Sequence, residues 1–286
     1  MNNQFIVTNL PVAYLLVAFF ALAIGSLLNV IIYRLPLMLR ASFSKDCRSF
    51  LQLPAEPDNV INLFFPRSFC PNCRMIIPAK YNIPLLSYCW LRGRCKNCHQ
   101  PISARYPLVE ILSCLLALLS VWHFGFSLNL IFVLLFVWII IALFFIDLEQ
   151  QLLPDSLTLS LLWLGLIANT QSLFTSLPNA VLSAVFAYLT LWLFIKLFYL
   201  LTARIGMGNG DFKLFAALGA WFGWEQLPLI LLFASFVGAI TGIFYLRLQK
   251  KTKDTPIPFG PFLCLAGLLS LFWGKTILHW YLSYWF

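Results

Sequence analysis

Long uninterrupted runs of apolar residues constrain this chain more than any other feature. The run YLLVAFFALAIGSLLNVIIY, residues 14–33, is long enough to cross a hydrocarbon core of ~30 Å. Seven further spans are predicted at about 107–122, 131–146, 157–171, 179–201, 212–224, 229–246 and 259–282. Hydrophobic residues make up 61% of the chain and charged residues 10%, which excludes an ordinary soluble domain. The sequence therefore predicts an all-α polytopic membrane protein with about eight transmembrane helices.

The positions of Lys and Arg predict how these spans are oriented. Residues 1–13 contain neither, which argues against a cleavable signal peptide and places the N-terminus outside. With eight spans, 11 of the 19 Lys and Arg residues fall in segment 34–105, on the cytoplasmic side. We therefore attribute most of the net charge of +9 to membrane topology, with some attraction to anionic membrane lipid, and not to nucleic-acid binding.

One polar segment interrupts the apolar pattern between the first two spans. It is richer in Pro, Asn and charged residues than the rest of the chain. We predict three parts: an N-terminal transmembrane helix (1–33), a cytoplasmic insertion (34–106) and a seven-helix membrane domain (107–286).

Two C-x-x-C pairs in the insertion have nearly the spacing of a metal site. The four residues are Cys70, Cys73, Cys95 and Cys98. The pairs are separated by 21 residues, just beyond the usual zinc-ribbon window of roughly 15–20. Four thiolates suit tetrahedral zinc, and a bound metal stabilises a segment too small to bury much core. Redox-active thiols or thiols without metal are the alternatives, and a reducing cytoplasm disfavours disulfides.

Two acidic residues beside apolar runs are candidates for catalysis, because a carboxylate in hydrocarbon costs roughly 2.5–3.5 kcal/mol or more. Asp147 follows sixteen apolar residues, and Asp211 follows the turn GMGNG. The glycines of that turn, Gly208 and Gly210 among them, permit positive φ and close backbone approach, which can hold Asp211 inward. The predicted topology places both acids at the cytoplasmic boundary.

Two carboxylates that share a proton can drive peptide hydrolysis. The ionised one accepts a proton from water as the water attacks a carbonyl, and the protonated one polarises that carbonyl. For Asp147 a solvated helix end is the alternative interpretation. Three other polar residues receive structural predictions: Asp155 as a helix N-cap, Glu110 as a partner of a nearby arginine, and Asn29 as a hydrogen-bond donor or acceptor to a neighbouring helix.

Six segments of this chain resemble, in their order, those of a known family. They are GSLLNVIIYRLP (25–36), NIPLLSY (82–88), ISARYPLVE (102–110), FIDLEQQLLPD (145–155), GMGNGDFKLFAALGAW (206–221) and PFGPFL (258–263). With the four-cysteine segment, they resemble the bacterial type IV prepilin peptidases, which are inner-membrane aspartic proteases of the G-x-G-D group. The resemblance implies that Asp147 and Asp211 are the catalytic aspartates and that the four cysteines bind metal.

The resemblance also implies the reaction. Members cleave the short basic leader from prepilins and pseudopilins, after a glycine, at the cytoplasmic membrane face. Many then methylate the new N-terminus with S-adenosylmethionine, for which the residues of this chain indicate no binding site. Two alternatives from other classes are a non-enzymatic zinc-knuckle adaptor of a pilus or secretion assembly, and a thiol-based membrane oxidoreductase.

Overall fold

The computed structural model describes residues 3–54, 62–203, 207–249 and 258–284, and these ranges are mainly helical. The helices are α1 (Asn3–Phe50), α2 (Leu86–Trp90), α3 (Arg105–Phe124), α4 (Leu128–Gln150), α5 (Asp155–Thr170), α6 (Leu177–Thr202), α7 (Asn209–Phe222), α8 (Leu227–Gln249) and α9 (Gly260–Ser283). The predicted all-α fold is confirmed, and each of the eight predicted spans coincides with one of the helices.

Six of the helices are long and apolar enough to cross a membrane, namely α1, α3, α4, α6, α8 and α9. The other two predicted spans correspond to α5 and α7, which have 16 and 14 residues. A helix the length of α7 rises about 21 Å, less than the hydrocarbon thickness. Nearly every residue of α7 from Asp211 onward is nevertheless buried. Neighbouring helices, rather than lipid, therefore surround most of α7.

The chain divides into two compact units, Met1–Phe126 and Ser127–Phe286. In the first unit α1 packs along α3 through small residues. A Cβ atom on Gly25 would lie 2.7 Å from the Cα of Glu110, so the two backbones approach closely there. Ser113 Oγ donates a hydrogen bond to the carbonyl of Ala21 at 2.8 Å. Helix α1 also continues past residue 33 as far as Phe50.

A buried arginine joins α1 to the insertion. Arg34 is 5% exposed. Its Nη1 donates to the carbonyls of Asn62 at 2.9 Å and Leu63 at 3.3 Å, and its Nη2 donates to the carbonyl of Pro66 at 2.7 Å. Three carbonyl acceptors compensate part of the cost of burying the charge. Segment 62–66 is thereby held against α1.

Replacing Arg34 by lysine is expected to destabilise the first unit by about 1–3 kcal/mol, since one ammonium cannot satisfy carbonyls arranged for a planar fork. The measurement is the thermal unfolding temperature of the detergent-solubilised protein. Arg40→Lys, at an exposed position on the same helix, is the control. Equal unfolding temperatures for both variants would show that the carbonyl contacts of Arg34 do not stabilise the unit.

In the second unit α7 packs tightly between α5 and α6. The Trp221 side chain is fully buried, and its Nε1 donates to the carbonyl of Leu161 in α5 at 2.7 Å. A Cβ on Gly165 would lie 2.5 Å from that indole, and one on Gly219 would lie 2.8 Å from the carbonyl oxygen of Ser183 in α6. Glycines at these positions therefore serve close helix packing.

The C-terminal end of α7 is fixed by one buried asparagine. Asn169 Nδ2 donates to the carbonyls of Ala220 and Trp221, at 2.8 and 3.2 Å. Its Oδ1 accepts from the backbone N–H groups of Phe174 and Thr175, both at 3.0 Å. The side chain thereby ties the loop after α5 to the end of α7 and fixes the helix whose other end carries Asp211.

Candidate active site

Asp147 lies in the last turn of α4 and points into the second unit. Only 5% of its surface is exposed, which rules out a solvated helix end. Helix α4 ends three residues later, where Gln151 adopts a left-handed conformation and its N–H donates to the Asp147 carbonyl at 2.9 Å. Asp147 Oδ2 is buried and has no hydrogen-bond partner among the described residues. A buried carboxylate oxygen in this state is costly, and such groups occur where reactivity requires them.

Asp211 lies in the first turn of α7 and is 7% exposed. The N-cap of this helix, Gly208, has φ −78°, and its N–H lies within interaction range of the Asp211 carboxylate. Gly210 lies inside the helix, so positive φ at Gly208 and Gly210 is not the reason for these glycines, contrary to the sequence-based argument. Gly206 lies outside the described residues. The backbone N–H of Gly208, together with burial, holds Asp211 inward.

The reason for glycine at position 210 is close contact with a leucine. A Cβ on Gly210 would lie 2.7 Å from the Cβ of Leu153, and Leu153 itself is 8% exposed. Leu153 also lies against Gly260, where a Cβ would come within 3.1 Å of its Cδ1. Leu153 therefore packs over both glycines and shields this part of the second unit from water.

The two aspartates lie within electrostatic range of each other, although 64 positions apart in the sequence. Each also lies within electrostatic range of the fully buried Cys264 of α9. Like charges this close in a poorly hydrated region favour a state in which the pair keeps one proton. The arrangement thus supplies one proton acceptor and one proton donor in the same buried region.

Helix α9 supplies a further contact to the pair. The N–H of Gly260, the first residue of α9, lies within interaction range of the Asp147 carboxylate. A Cβ at this position would lie 2.5 Å from Asp147 Oδ2, so only glycine fits without a shift. Gly260, Leu153 and Cys264 were not identified from chemistry in the sequence. Leu153 and Gly260 occur in two of the resembling segments, FIDLEQQLLPD and PFGPFL, and Cys264 directly follows the second.

Three other polar residues have structural roles. Asp155 is not the N-cap of α5, because Pro154 holds that position, and its carboxylate instead accepts from Lys213 Nζ at 2.6 and 2.7 Å. Glu110 accepts from the backbone N–H of Leu85 at 2.8 Å rather than from an arginine. The prediction for Asn29 is confirmed, since its Nδ2 donates to the carbonyl of Tyr106 at 3.0 Å.

In the first unit the four predicted cysteines form one cluster. The Sγ atoms of Cys70, Cys73, Cys95 and Cys98 all lie within 4.8 Å of one another, and those of Cys70 and Cys98 are 3.9 Å apart. A tetrahedron with Zn–S bonds of about 2.3 Å has S–S edges of about 3.8 Å. The four thiols therefore fit a zinc ion with small adjustments.

The two C-x-x-C pairs adopt the same local backbone. Arg74 and His99, which follow the pairs, both have φ 55°. Their N–H groups donate to the carbonyls of Cys70 and Cys95, at 2.9 and 3.0 Å. The equivalent turns present their sulfur atoms to a common centre, which is the geometry of paired metal-binding knuckles.

Amide groups favour the thiolate form of two cysteines in this cluster, whereas the pKa of Cys70 is raised to about 11. The N–H of Met75 lowers the pKa of Cys73 to about 6, and the N–H of Cys98 lowers the pKa of Cys95. The Asn97 side chain donates to Cys73, and Asn72 Nδ2 lies 3.9 Å from the sulfur of Cys98. Each asparagine therefore reaches the opposite pair. Groups that favour the anionic thiolate suit a cation at the centre.

The fold and the two sites define a helical integral-membrane protein with a buried pair of aspartates and a separate four-cysteine cluster. Residues 19–124 match the bacterial peptidase A24 N-terminal domain, and residues 134–243 match the type IV leader peptidase family. The chain belongs to the type IV leader peptidase family.

Relatives are similar over nearly the whole chain. A protein of Legionella pneumophila is 56% identical over 100% of both chains. One of Stutzerimonas stutzeri is 50% identical over 98% of both, and one of Pseudomonas aeruginosa is 48% identical over 96% of this chain and 95% of its own. Each is named prepilin leader peptidase/N-methyltransferase. No solved structure matches the chain.

Proposed function

We propose that this protein is a membrane aspartic endopeptidase that removes the leader peptide from type IV prepilins and pseudopilins. The observation that carries the proposal is the burial of Asp147 and Asp211 within electrostatic range of each other, on two helices of one unit. The relatives' shared name supplies the class of substrate. Neither a thiol-based oxidoreductase nor an adaptor explains why two carboxylates are kept away from water.

In the proposed mechanism the ionised aspartate accepts a proton from a water molecule as its oxygen attacks the scissile carbonyl carbon. The protonated aspartate donates a hydrogen bond to the carbonyl oxygen, where negative charge develops. Collapse of the tetrahedral intermediate breaks the C–N bond, and the departing amine takes up a proton. The N–H of Gly260 orients Asp147, and the N–H of Gly208 orients Asp211.

The direct test combines the purified protein, reconstituted in lipid nanodiscs, with a full-length prepilin. Mass spectrometry is expected to find the free leader and a pilin whose N-terminus follows the leader glycine. An adaptor would leave the prepilin intact. Cleavage that persists with a chelator and with a thiol-blocking reagent excludes a metallopeptidase and a cysteine peptidase.

The proposed location is the bacterial inner membrane, with the N-terminus outside and both the aspartate pair and insertion 34–106 on the cytoplasmic side. The asymmetric distribution of Lys and Arg supports this orientation. In this arrangement residues 1–33 form the first membrane crossing and 107–286 the membrane domain. A prepilin, itself a hydrophobic helix with a polar leader, would present its cleavage site at the depth of Asp147.

We assign zinc as the metal of the cluster formed by Cys70, Cys73, Cys95 and Cys98, in a structural role. A zinc ion there would crosslink two turns of the insertion, which buries little apolar surface of its own.

Replacing Cys70 by serine is expected to lower bound zinc from about one ion per chain to near zero, because a hydroxyl is a far weaker ligand than a thiolate. Elemental analysis of the purified protein measures this directly. Cys89→Ser, at an exposed cysteine outside the cluster, is the matched control and should retain zinc. Retention of zinc by both variants would exclude the cluster as the metal site.

For the N-methyltransferase activity the support is the name of the relatives, and we assign no residue to S-adenosylmethionine. If methylation takes place at a site separate from the aspartate pair, loss of Asp211 should leave it intact. The Asp211→Asn protein is expected to methylate a synthetic peptide that already begins at the mature N-terminus, at a rate within about twofold of the unmodified protein. Incorporation of labelled methyl groups measures this. Loss of methylation in this variant would indicate that the two reactions share the aspartate pair.

A further inference from the structure

Helix α2 of the insertion presents an uncharged, apolar face to its surroundings. Leu86 is 66% exposed and Trp90 is 75% exposed, and these residues lie one helical turn apart. Cys89, on the same face, is also exposed. Two large apolar side chains this exposed on a five-residue helix are costly in water, so contact with an apolar phase is favoured.

Hydrogen bonds place α2 beside the N-terminal end of α3. The N–H of Leu85, immediately before α2, donates to the carboxylate of Glu110 at 2.8 Å, and Glu110 lies in the second turn of α3. The N–H of Ile102 donates to the carbonyl of Gly93 at 2.7 Å, which closes the segment after α2 onto the residues that lead into α3. Helix α3 is one of the six candidate spans. Its first turns and α2 therefore lie at the same depth.

The neighbouring helix α3 also exposes an apolar residue, and cations follow α2 in the sequence. Leu108, in the first turn of α3, is 48% exposed on a helix that crosses the membrane. Arg92 and Arg94, directly after α2, are exposed. Residues 59–109 contain seven Lys and Arg residues and no Asp or Glu. A tryptophan beside arginines is typical of the membrane–water interface, where anionic headgroups attract the cations.

We propose that α2 is an interfacial anchor that docks the insertion onto an anionic lipid surface. Leu86 and Trp90 lie among the headgroups and the upper acyl chains, and Arg92 and Arg94 lie near lipid phosphates. This inference concerns a surface of the first unit and does not depend on the proposed peptidase activity. Its role is to hold the four-cysteine cluster at a fixed height above the membrane.

The test uses the full-length protein with Trp90 replaced by the photoreactive aromatic residue p-benzoylphenylalanine. It is reconstituted in nanodiscs of phosphatidylcholine with or without phosphatidylglycerol, irradiated, and digested. Mass spectrometry then detects lipid attached to the peptide containing position 90. The same residue at Ser44 is the control. The hydrogen bond from Asn29 to Tyr106 places Asn29 of α1 beside the start of α3. Ser44 lies four helical turns further along α1, about 22 Å from Asn29, and therefore away from the membrane.

We expect a lipid adduct at position 90 and none at position 44, with a several-fold higher yield in nanodiscs that contain phosphatidylglycerol. Double substitution of Arg92 and Arg94 by glutamine is expected to remove that difference in yield. Absence of lipid at position 90, equal labelling at both positions, or attachment to protein only would overturn the proposal. Equal yields with and without anionic lipid would overturn the part assigned to the two arginines. An unchanged thermal unfolding temperature and a single symmetric size-exclusion peak confirm that the position 90 variant is folded.

Discussion

Replacing Asp147 or Asp211 by asparagine is expected to lower the rate of leader cleavage by roughly 10²–10⁴-fold or more, with the protein still inserted in the membrane. Asparagine keeps the size of the side chain but can neither accept the proton of water nor exchange roles with a protonated partner. Because the two carboxylates act together, the double variant should be scarcely slower than either single one. Single-turnover cleavage of a prepilin in nanodiscs, normalised to folded protein, measures the effect.

A carboxylate close to the pair provides the control. Glu149 is exposed, two residues after Asp147, and Glu149→Gln removes one negative charge from the same helix end. This variant should cleave within about twofold of the unmodified protein, since exposed charges act weakly through solvent. Cleavage by the Asp211→Asn protein at a rate comparable to that of Glu149→Gln would remove the aspartate pair from the mechanism.

The second large effect on leader cleavage is expected from adding a single methyl group to Gly260. Gly260→Ala is expected to reduce cleavage by roughly 10²-fold or more, because the new Cβ would lie 2.5 Å from Asp147 Oδ2 and must displace either the carboxylate or the start of α9. The same shift weakens the interaction of the Gly260 N–H with this carboxylate. The expected loss is in kcat more than in KM, since the altered group acts in the transition state.

A variant at another glycine of α9 distinguishes displacement of the Asp147 carboxylate from general overpacking of the helix. A Cβ on Gly267 would lie 2.7 Å from Leu218 Cδ2, so Gly267→Ala crowds the same helix about two turns from the aspartates. Both variants should lose stability by about 1–3 kcal/mol, but only Gly260→Ala should lose activity per folded molecule. Equal losses of activity would mean that Gly260 matters for packing alone.

Much of the architecture followed from simple patterns. Apolar runs identified the eight long helices found among the described residues, because transfer of an apolar side chain out of water dominates the placement of such segments. Two C-x-x-C pairs predicted the sulfur cluster, because the ligand residues and their spacing can be read from one short segment of sequence. Acidic residues beside apolar runs drew attention to Asp147 and Asp211 because charge is so rare in these runs.

Other features depended on contacts between distant segments. The pattern of apolar residues is the same for a helix facing lipid and a helix facing protein, so the enclosure of α7 was not evident. Leu153 and Gly260 contribute through close packing, which residue type alone does not predict. Arg34 looked like a topology signal at the end of a span, whereas its partners are carbonyls about thirty residues away. Aspartate is a common residue at helix N-caps, which led to that prediction for Asp155, but its carboxylate instead accepts a hydrogen bond from Lys213 of α7.

The short, enclosed α7 has a consequence for the dependence of activity on the bilayer. A change in membrane thickness acts on helices whose apolar surface touches acyl chains, through tilt or local deformation of the lipid. Helix α7 is nearly all covered by protein and is fixed at its far end through Asn169. The segment that carries Asp211 is thereby shielded from such deformation, and differences in acyl-chain length would reach it only through the helices packed around it.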